Sequence, residues 1–171
     1  FYPYGGGAQS LFDDLVALLA AQGIRVTVWT ETPTPGRAIG RRRGAVVIRR
    51  EAPEIPRTRA ALPGFLRRAV RHLAWFRALA RRGDVAAICI ARLDHAAWYP
   101  LALRRLGLFR GRIVVYLHGA ELRLLQRQWR VFRWLVVAAF RTADVVVAPS
   151  VELRDEAVEA WPGVAGRIRL I

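Results

Sequence analysis

The chain contains no lysine, no asparagine and no methionine, and its one cysteine is Cys89. Because lysine is missing, every one of the 28 cationic side chains is arginine. A bias that complete reflects G- and C-rich codons more than selection at each position, so arginine in place of lysine carries little functional information. Cys89 sits inside an apolar run, and the chain opens without the basic, apolar and small-residue order of a signal peptide. A reducing cytoplasm is the simplest setting. Long hydrophobic runs are missing as well. The longest uncharged ones, Leu15 to Ile24 and His95 to Leu103, are about half of the ~18–20 residues a bilayer span needs. One Cys and three scattered His show no ligand spacing, so no metal is expected.

What is present suits a globular α/β protein. A chain of 171 residues, 54% of them hydrophobic, is long enough for one sizeable core, and one domain over residues 1–171 is expected. Against the 28 arginines stand 13 acidic residues, a net charge of +15. Such a positive field favours anionic membrane surfaces, nucleic acid or phosphorylated substrates.

Taken in order, the opening FYPYGGGAQS has turn residues and no starting Met, which suggests that an element precedes it. Leu11 to Ala21 reads as a helix, with Leu11, Leu15, Leu18 and Leu19 on one face, Asp13 and Asp14 in the first turn and Gly23 past the end. Ile24 to Trp29 is a short β-branched strand. Thr30 to Arg43 reads as a loop, with Pro33, Pro35 and three consecutive arginines, and Ala45 to Ile48 as a second strand. From Ala61 to Arg82 a helical period returns, carried by Leu62, Leu66, Ala69, Leu73, Phe76 and Ala80. Arg67, Arg68, Arg71, His72, Arg81 and Arg82 occupy much of the remaining surface.

Val85 to Ala91 is an uninterrupted apolar run, as expected of a parallel strand covered on both faces. Ala96 to Leu106 reads as a helix, Ile113 to Leu117 as a strand, and Leu122 to Arg141 as a second arginine-rich helix. Val145 to Ala148 is a strand, Ser150 an N-cap, Val151 to Trp161 a helix stopped by Pro162, and Arg167 to Ile171 a last strand. Short apolar strands alternating with helices predict a Rossmann-like, doubly wound parallel sheet.

Three places could carry chemistry. Gly5, Gly6 and Gly7 stand immediately ahead of a helix. Consecutive glycines let a backbone approach a bulky anion and leave the first N–H groups of the helix to meet it. They equally form a plain turn, and no GxGxxG or Walker spacing follows. In RIVVYLHGAEL, a buried β-branched strand releases into His118, Gly119 and Glu121. The carboxyl ends of parallel strands are where such sheets keep their ligands. As a bare pattern His118 is either a hydrogen-bonded structural residue or a substrate contact. Asp94 and His95, just after the Val85–Ala91 strand, form a weaker pair of the same kind, and two such histidines could face one cleft.

The order of these segments says more than any one of them. FYPYGGGAQS, the helix ending AAQG, the strand IRVTVW, the turn LHGAEL, and ADVVVAPSVELRDEAVEAW followed by RIRLI together resemble the amino-terminal domain of family 4 glycosyltransferases. The resemblance covers nearly the whole chain. It implies a GT-B architecture, two Rossmann-like domains with a sugar nucleotide between them, and retaining transfer without a metal or other cofactor. It implies that Gly5, Gly6 and Gly7 lie near the donor diphosphate, that Gly119 allows close approach of substrate, and that His118 is catalytic, contacting the transferred sugar. Gln9 would face the acceptor; Asp94, His95 and Glu121 are placed on the acceptor side as well.

The family's first strand would precede Phe1, and its second domain, which holds most of the nucleotide, would follow Ile171. The chain is therefore expected to be an acceptor-side half that binds sugar nucleotide poorly and does not turn over alone. Its expected partners are a nucleotide-sugar donor, a lipid or saccharide acceptor and a carboxyl-terminal GT-B domain. The competing readings are half of a sugar-nucleotide epimerase and a non-catalytic GT-B-like module that binds membrane or a partner domain.

The arginine-rich helices raise the membrane question directly. Trp75 and Phe76 interrupt the first, and Trp129, Phe132 and Trp134 interleave with Arg127, Arg130 and Arg133 in the second, a pairing suited to anionic headgroups on the inner face of a membrane. Arginine stems covering apolar surface explain the same pattern. Nucleic acid is not expected, because no recognised nucleic-acid module has this alternating order.

Overall fold

The computed structural model describes residues 7–32, 38–51, 60, 62–91, 97–119 and 137–171, and of residues 7–9, 31, 32, 38 and 49–51 the backbone only. The α/β structure falls into two compact units, Phe1–Ala69 and Val70–Ile171.

The first unit holds α1 (Gly7–Ala21), β1 (Thr27–Thr32), β2 (Ala38–Arg42) and β3 (Ala45–Glu51). Its sheet has the order β1-β3-β2, with β1 parallel and β2 antiparallel to the central β3. Of the loop expected from Thr30 to Arg43, Thr30–Thr32 and Ala38–Arg42 are strand, and residues 33–37 lie outside the described residues. Arg42 pairs with Ala45, which leaves Arg43 and Gly44 as a two-residue turn with φ of 46° and 81°. Positive φ at both positions is the type I′ geometry, whose twist matches that of a hairpin. An Arg-Gly pair is a weaker written signal than Asn-Gly, and three arginines in a row masked it.

α1 begins at Gly7, not Leu11, and its inward face is only in part the leucine face, since Leu15 and Leu19 are half-buried. Phe12, Asp13 and Val16 are buried, whereas Leu11 is 39% and Leu18 58% exposed. A carboxylate lies on that inward face. Asp13 accepts from Arg42 Nε at 3.0 Å and from Nη2 at 2.6 Å, a two-pronged ion pair that makes its burial tolerable. Ala20 lies against the hairpin turn, where a Cβ placed on Gly44 would stand 2.9 Å from that of Ala20.

α2 (Leu62–Arg81) runs from the end of the first unit into the second. It buries His72 and Phe76. Phe76 stacks on Tyr99 at 5.6 Å, and Trp75 meets Phe76 edge-on at 4.9 Å. Leu62 and Leu66, expected on the core face, are exposed.

The second unit adds β4 (Ala87–Ile90), α3 (Trp98–Arg105), β5 (Arg112–Tyr116), β6 (Val145–Ala148), α4 (Val151–Ala160), a 3-10 turn over Pro162–Arg167 and β7 (Ile168–Leu170). Residues 137–142 are helical; the rest of the second basic helix, with Trp129, Phe132 and Trp134, lies outside the described residues. The sheet order is β4-β5-β6-β7, and every pairing is parallel. Its core comprises Ile113, Val115 and Leu117 from β5 and its extension, Val146 and Ala148 from β6, with Leu103 and Phe140 from the helices. β4 departs from expectation. It is parallel to β5, but Ala87 and Cys89 are exposed, because among the described residues it is an edge strand with one neighbour.

Asp144 ties this sheet together at its amino-terminal edge. Its Oδ2 accepts the Ile113 N–H at 2.8 Å and its Oδ1 accepts from Arg104 Nη2 at 2.9 Å, while Arg104 Nη1 donates to the Gly111 carbonyl at 2.5 Å. Arg167 Nη1 donates to the Arg141 carbonyl at 2.8 Å. That cation meets carbonyls which the end of a helix leaves without intrahelical partners.

Candidate functional site

Parallel pairing sends the ends of β4, β5 and β6 to one edge of the sheet. β5 alternates strictly, turning Ile113 and Val115 into the core and leaving Val114 and Tyr116 half-buried. Leu117 continues that alternation inward, and His118 follows Tyr116 on the half-buried side. The backbone stays paired past the strand, since the Leu117 N–H donates to the Val147 carbonyl at 2.9 Å.

His118 then reaches sideways. Its Nε2 lies 2.7 Å from the carbonyl oxygen of Ala91, one residue beyond β4. A carbonyl can only accept, so Nε2 carries the hydrogen, and in the neutral ring the lone pair is on Nδ1. The bond fixes the ring's orientation across two neighbouring strand ends. A structural histidine does this, and a substrate-contacting one needs it. Burial pushes the Tyr116 phenol above its ordinary pKa, with a further push from Cys89, so the phenol is neutral at neutral pH.

Gly119 ends the turn with φ of 82° and is buried. A Cβ there would meet Leu153 Cδ1 at an ordinary 3.7 Å. The need for glycine is thus set by backbone conformation, not by crowding from the described neighbours. Leu153 belongs to α4, whose start is well defined: the Leu153 N–H donates to Ser150 Oγ at 3.2 Å, and Ser150 is extended. In the first turn Glu152 has its pKa lowered, first by its own backbone N–H and then by the Ser150 hydroxyl.

Of the residues singled out in the sequence, His118 and Gly119 stand together at the carboxyl edge of the second unit's sheet. Gly7 is the first residue of α1 in the first unit, and only the backbone of Gln9 is described, within the same helix. Gly5, Gly6, Asp94, His95 and Glu121 lie outside the described residues. Tyr116 lies two residues before His118 on the same half-buried face. Among the described residues, no three of His, Cys, Asp and Glu come together in a way that could hold a metal. Nor is any helix among them long and apolar enough to cross a membrane.

A family model described as Glycosyltransferase Family 4 matches residues 5–171. The chain belongs to that family. The match is to the family's amino-terminal domain and runs through both compact units, from the glycine run to β7. No curated protein matches the sequence. Within this family 4 domain, Ala143 and Asp144 immediately precede β6 and Ser150 caps α4. That part of the ADVVVAPS motif supports the fold: Ala143 is buried and Asp144 is spent on the β5 backbone and Arg104.

Proposed function

We propose that this family 4 domain is the acceptor-side half of a retaining glycosyltransferase, which moves a sugar from a nucleotide-sugar donor to a hydroxyl of a lipid or saccharide acceptor. What supports it is the His118–Gly119 turn, anchored through Ala91 at the carboxyl edge of a parallel sheet, in a chain matched to the family over residues 5–171. In such a transfer the acceptor oxygen bonds to the anomeric carbon as the bond from that carbon to the diphosphate oxygen breaks. The nucleoside diphosphate leaves with the electron pair, and the acceptor's proton is lost to it. Positive charge develops on the sugar ring, and an oriented imidazole beside it fixes the ring's position.

In this scheme Gly5, Gly6 and Gly7 lie near the diphosphate and Gly119 lets the sugar approach the backbone. Gln9, Asp94, His95 and Glu121 serve the acceptor. No metal takes part, and the work is done in the cytoplasm. A second GT-B domain holds most of the nucleotide, so the 171 residues alone transfer no sugar.

The test is His118→Ala and His118→Gln, made in a polypeptide that carries both GT-B halves. Transfer is expected to fall by about two orders of magnitude in kcat/KM in both, with the folded state retained because one neutral hydrogen bond contributes only about 1 kcal/mol. Undiminished transfer by a folded His118→Ala enzyme would remove His118 from the mechanism.

A further inference from the structure

The His118 ring does not continue straight off the end of β5. In the parallel register Ile90 stands beside Val115, so the next residues, Ala91 and Tyr116, are level. His118 is two residues further along its strand, a rise of about 7 Å. Its Nε2 nevertheless lies 2.7 Å from the Ala91 carbonyl oxygen. The imidazole is therefore drawn back from the strand end, towards β4 and towards the level of Tyr116. Alternation along β5 puts Tyr116 on the face that His118 shares, and both are half-buried. Tyr116 also has an electrostatic neighbour in that direction. Cys89 pairs with Val114 and so shares this face one row earlier; burial raises the pKa of the Tyr116 phenol, and Cys89 adds to the rise. Cys89 is thus within electrostatic range of the phenol from the β4 side, the side to which His118 reaches.

One hydrogen bond to a carbonyl selects the nitrogen that carries the hydrogen. The plane of the ring is set by what packs on it, and a group that must meet a reacting sugar needs both. We infer that Tyr116 is a positioning residue for His118: its aromatic ring packs beside the imidazole and holds it against the Ala91 carbonyl, so that Nε2 keeps the hydrogen and Nδ1 is turned to the sugar. For its catalytic consequence the inference rests on the proposed role of His118 in transfer; for the state of the imidazole it rests on the fold alone. The contact is made by the ring and not by the hydroxyl, so phenylalanine can replace Tyr116 and an aliphatic residue cannot.

The experiment has two arms. Nitrogen-15 NMR of the imidazole in the 171-residue chain, assigned by comparison with His118→Gln, reads the tautomer of the neutral ring. Kinetics of a polypeptide carrying both GT-B halves read the consequence. The parent is expected to show the Nε2–H form alone. Tyr116→Val, which keeps a β-branched side chain in the strand, should show a measurable Nδ1–H population. It should lower kcat about tenfold while KM for the donor changes less than about twofold. Tyr116→Phe should keep the parental tautomer and kcat. Should Tyr116→Val disturb the far-ultraviolet circular dichroism, Tyr116→Leu supplies the same comparison. An unchanged tautomer in the folded aliphatic variant overturns the inference, even where transfer falls, because Tyr116 would then act without His118. So does loss of the Nε2–H preference in Tyr116→Phe. If His118→Ala itself retains transfer, the glycosyltransferase role of His118 is what fails, and the tautomer arm alone decides whether Tyr116 holds the ring.

Discussion

Asp144 Oδ2 accepts the backbone N–H of Ile113 at 2.8 Å, so the aspartate just before β6 completes the start of β5. The return bond, from the Asp144 N–H to the Ile113 carbonyl at 2.9 Å, makes the junction reciprocal. Arg104 closes it from α3. An acid at this position is thus accounted for by the fold, with no catalytic duty required.

Asp144→Ala is expected to destabilise the protein by about 1–3 kcal/mol. It strands the Ile113 N–H and removes the ionised partner of Arg104. Asp144→Asn keeps an acceptor for Ile113 and should lose less. Urea denaturation of the two variants against the parent gives the comparison; equal losses would show that only the charge matters.

The Asp13–Arg42 pair predicts an acid-labile contribution to stability. The hydrogen bond from Arg42 holds the Asp13 carboxyl below its ordinary 3.8; burial opposes this, and the charges of Arg42 and Arg43 add to the lowering. A carboxylate whose pKa is lower when folded stabilises the native state fully above the unfolded value, and that contribution is lost as pH falls through the folded one. Stability should therefore decline below about pH 4 more steeply in the parent than in Asp13→Asn, read as urea midpoints between pH 2.5 and 6 on the scale where unfolded Asp titrates at about 3.9. Parallel curves would show that the pair contributes nothing in solution.

Gly44→Ala meets two obstacles. The backbone has φ of 81° and the new methyl would stand 2.9 Å from Ala20 Cβ. Backbone strain and overpacking each cost about 1–3 kcal/mol, so a loss of about 2–4 kcal/mol in chemical denaturation is expected. Gly44→Ala combined with Ala20→Gly removes the clash but not the strain, and should recover part of the loss. No recovery would mean that the turn conformation alone sets the cost.

Where local patterning and packing agree, the sequence was readable. β6 was placed at Val145–Ala148 and Ser150 as the cap of α4, because a β-branched run and a hydroxyl before a helix act through their own neighbourhoods. Pro162 ended that helix for the same reason, lacking an N–H to continue it. His118 was legible as a residue at a strand's carboxyl end, but its partner was not. Ala91 is 27 residues away, and only strand pairing brings the two together.

The sequence by itself determined the alternation of strands and helices, the positions of caps and breakers, the basic character of α2 and, through the order of its segments, membership of family 4. Tertiary structure decided which face each helix turns inward. In α1 the leucine period marks one face, whereas the structure covers Phe12, Val16 and the Asp13 paired with Arg42, and leaves Leu11 and Leu18 exposed. In α2 the apolar period was continuous, yet burial ends where the Tyr99 contacts end, and Leu62, Leu66 and Val70 face outward. Hydrophobic periodicity identifies a face that can be buried; whether it is buried depends on a partner surface supplied by residues distant in the chain.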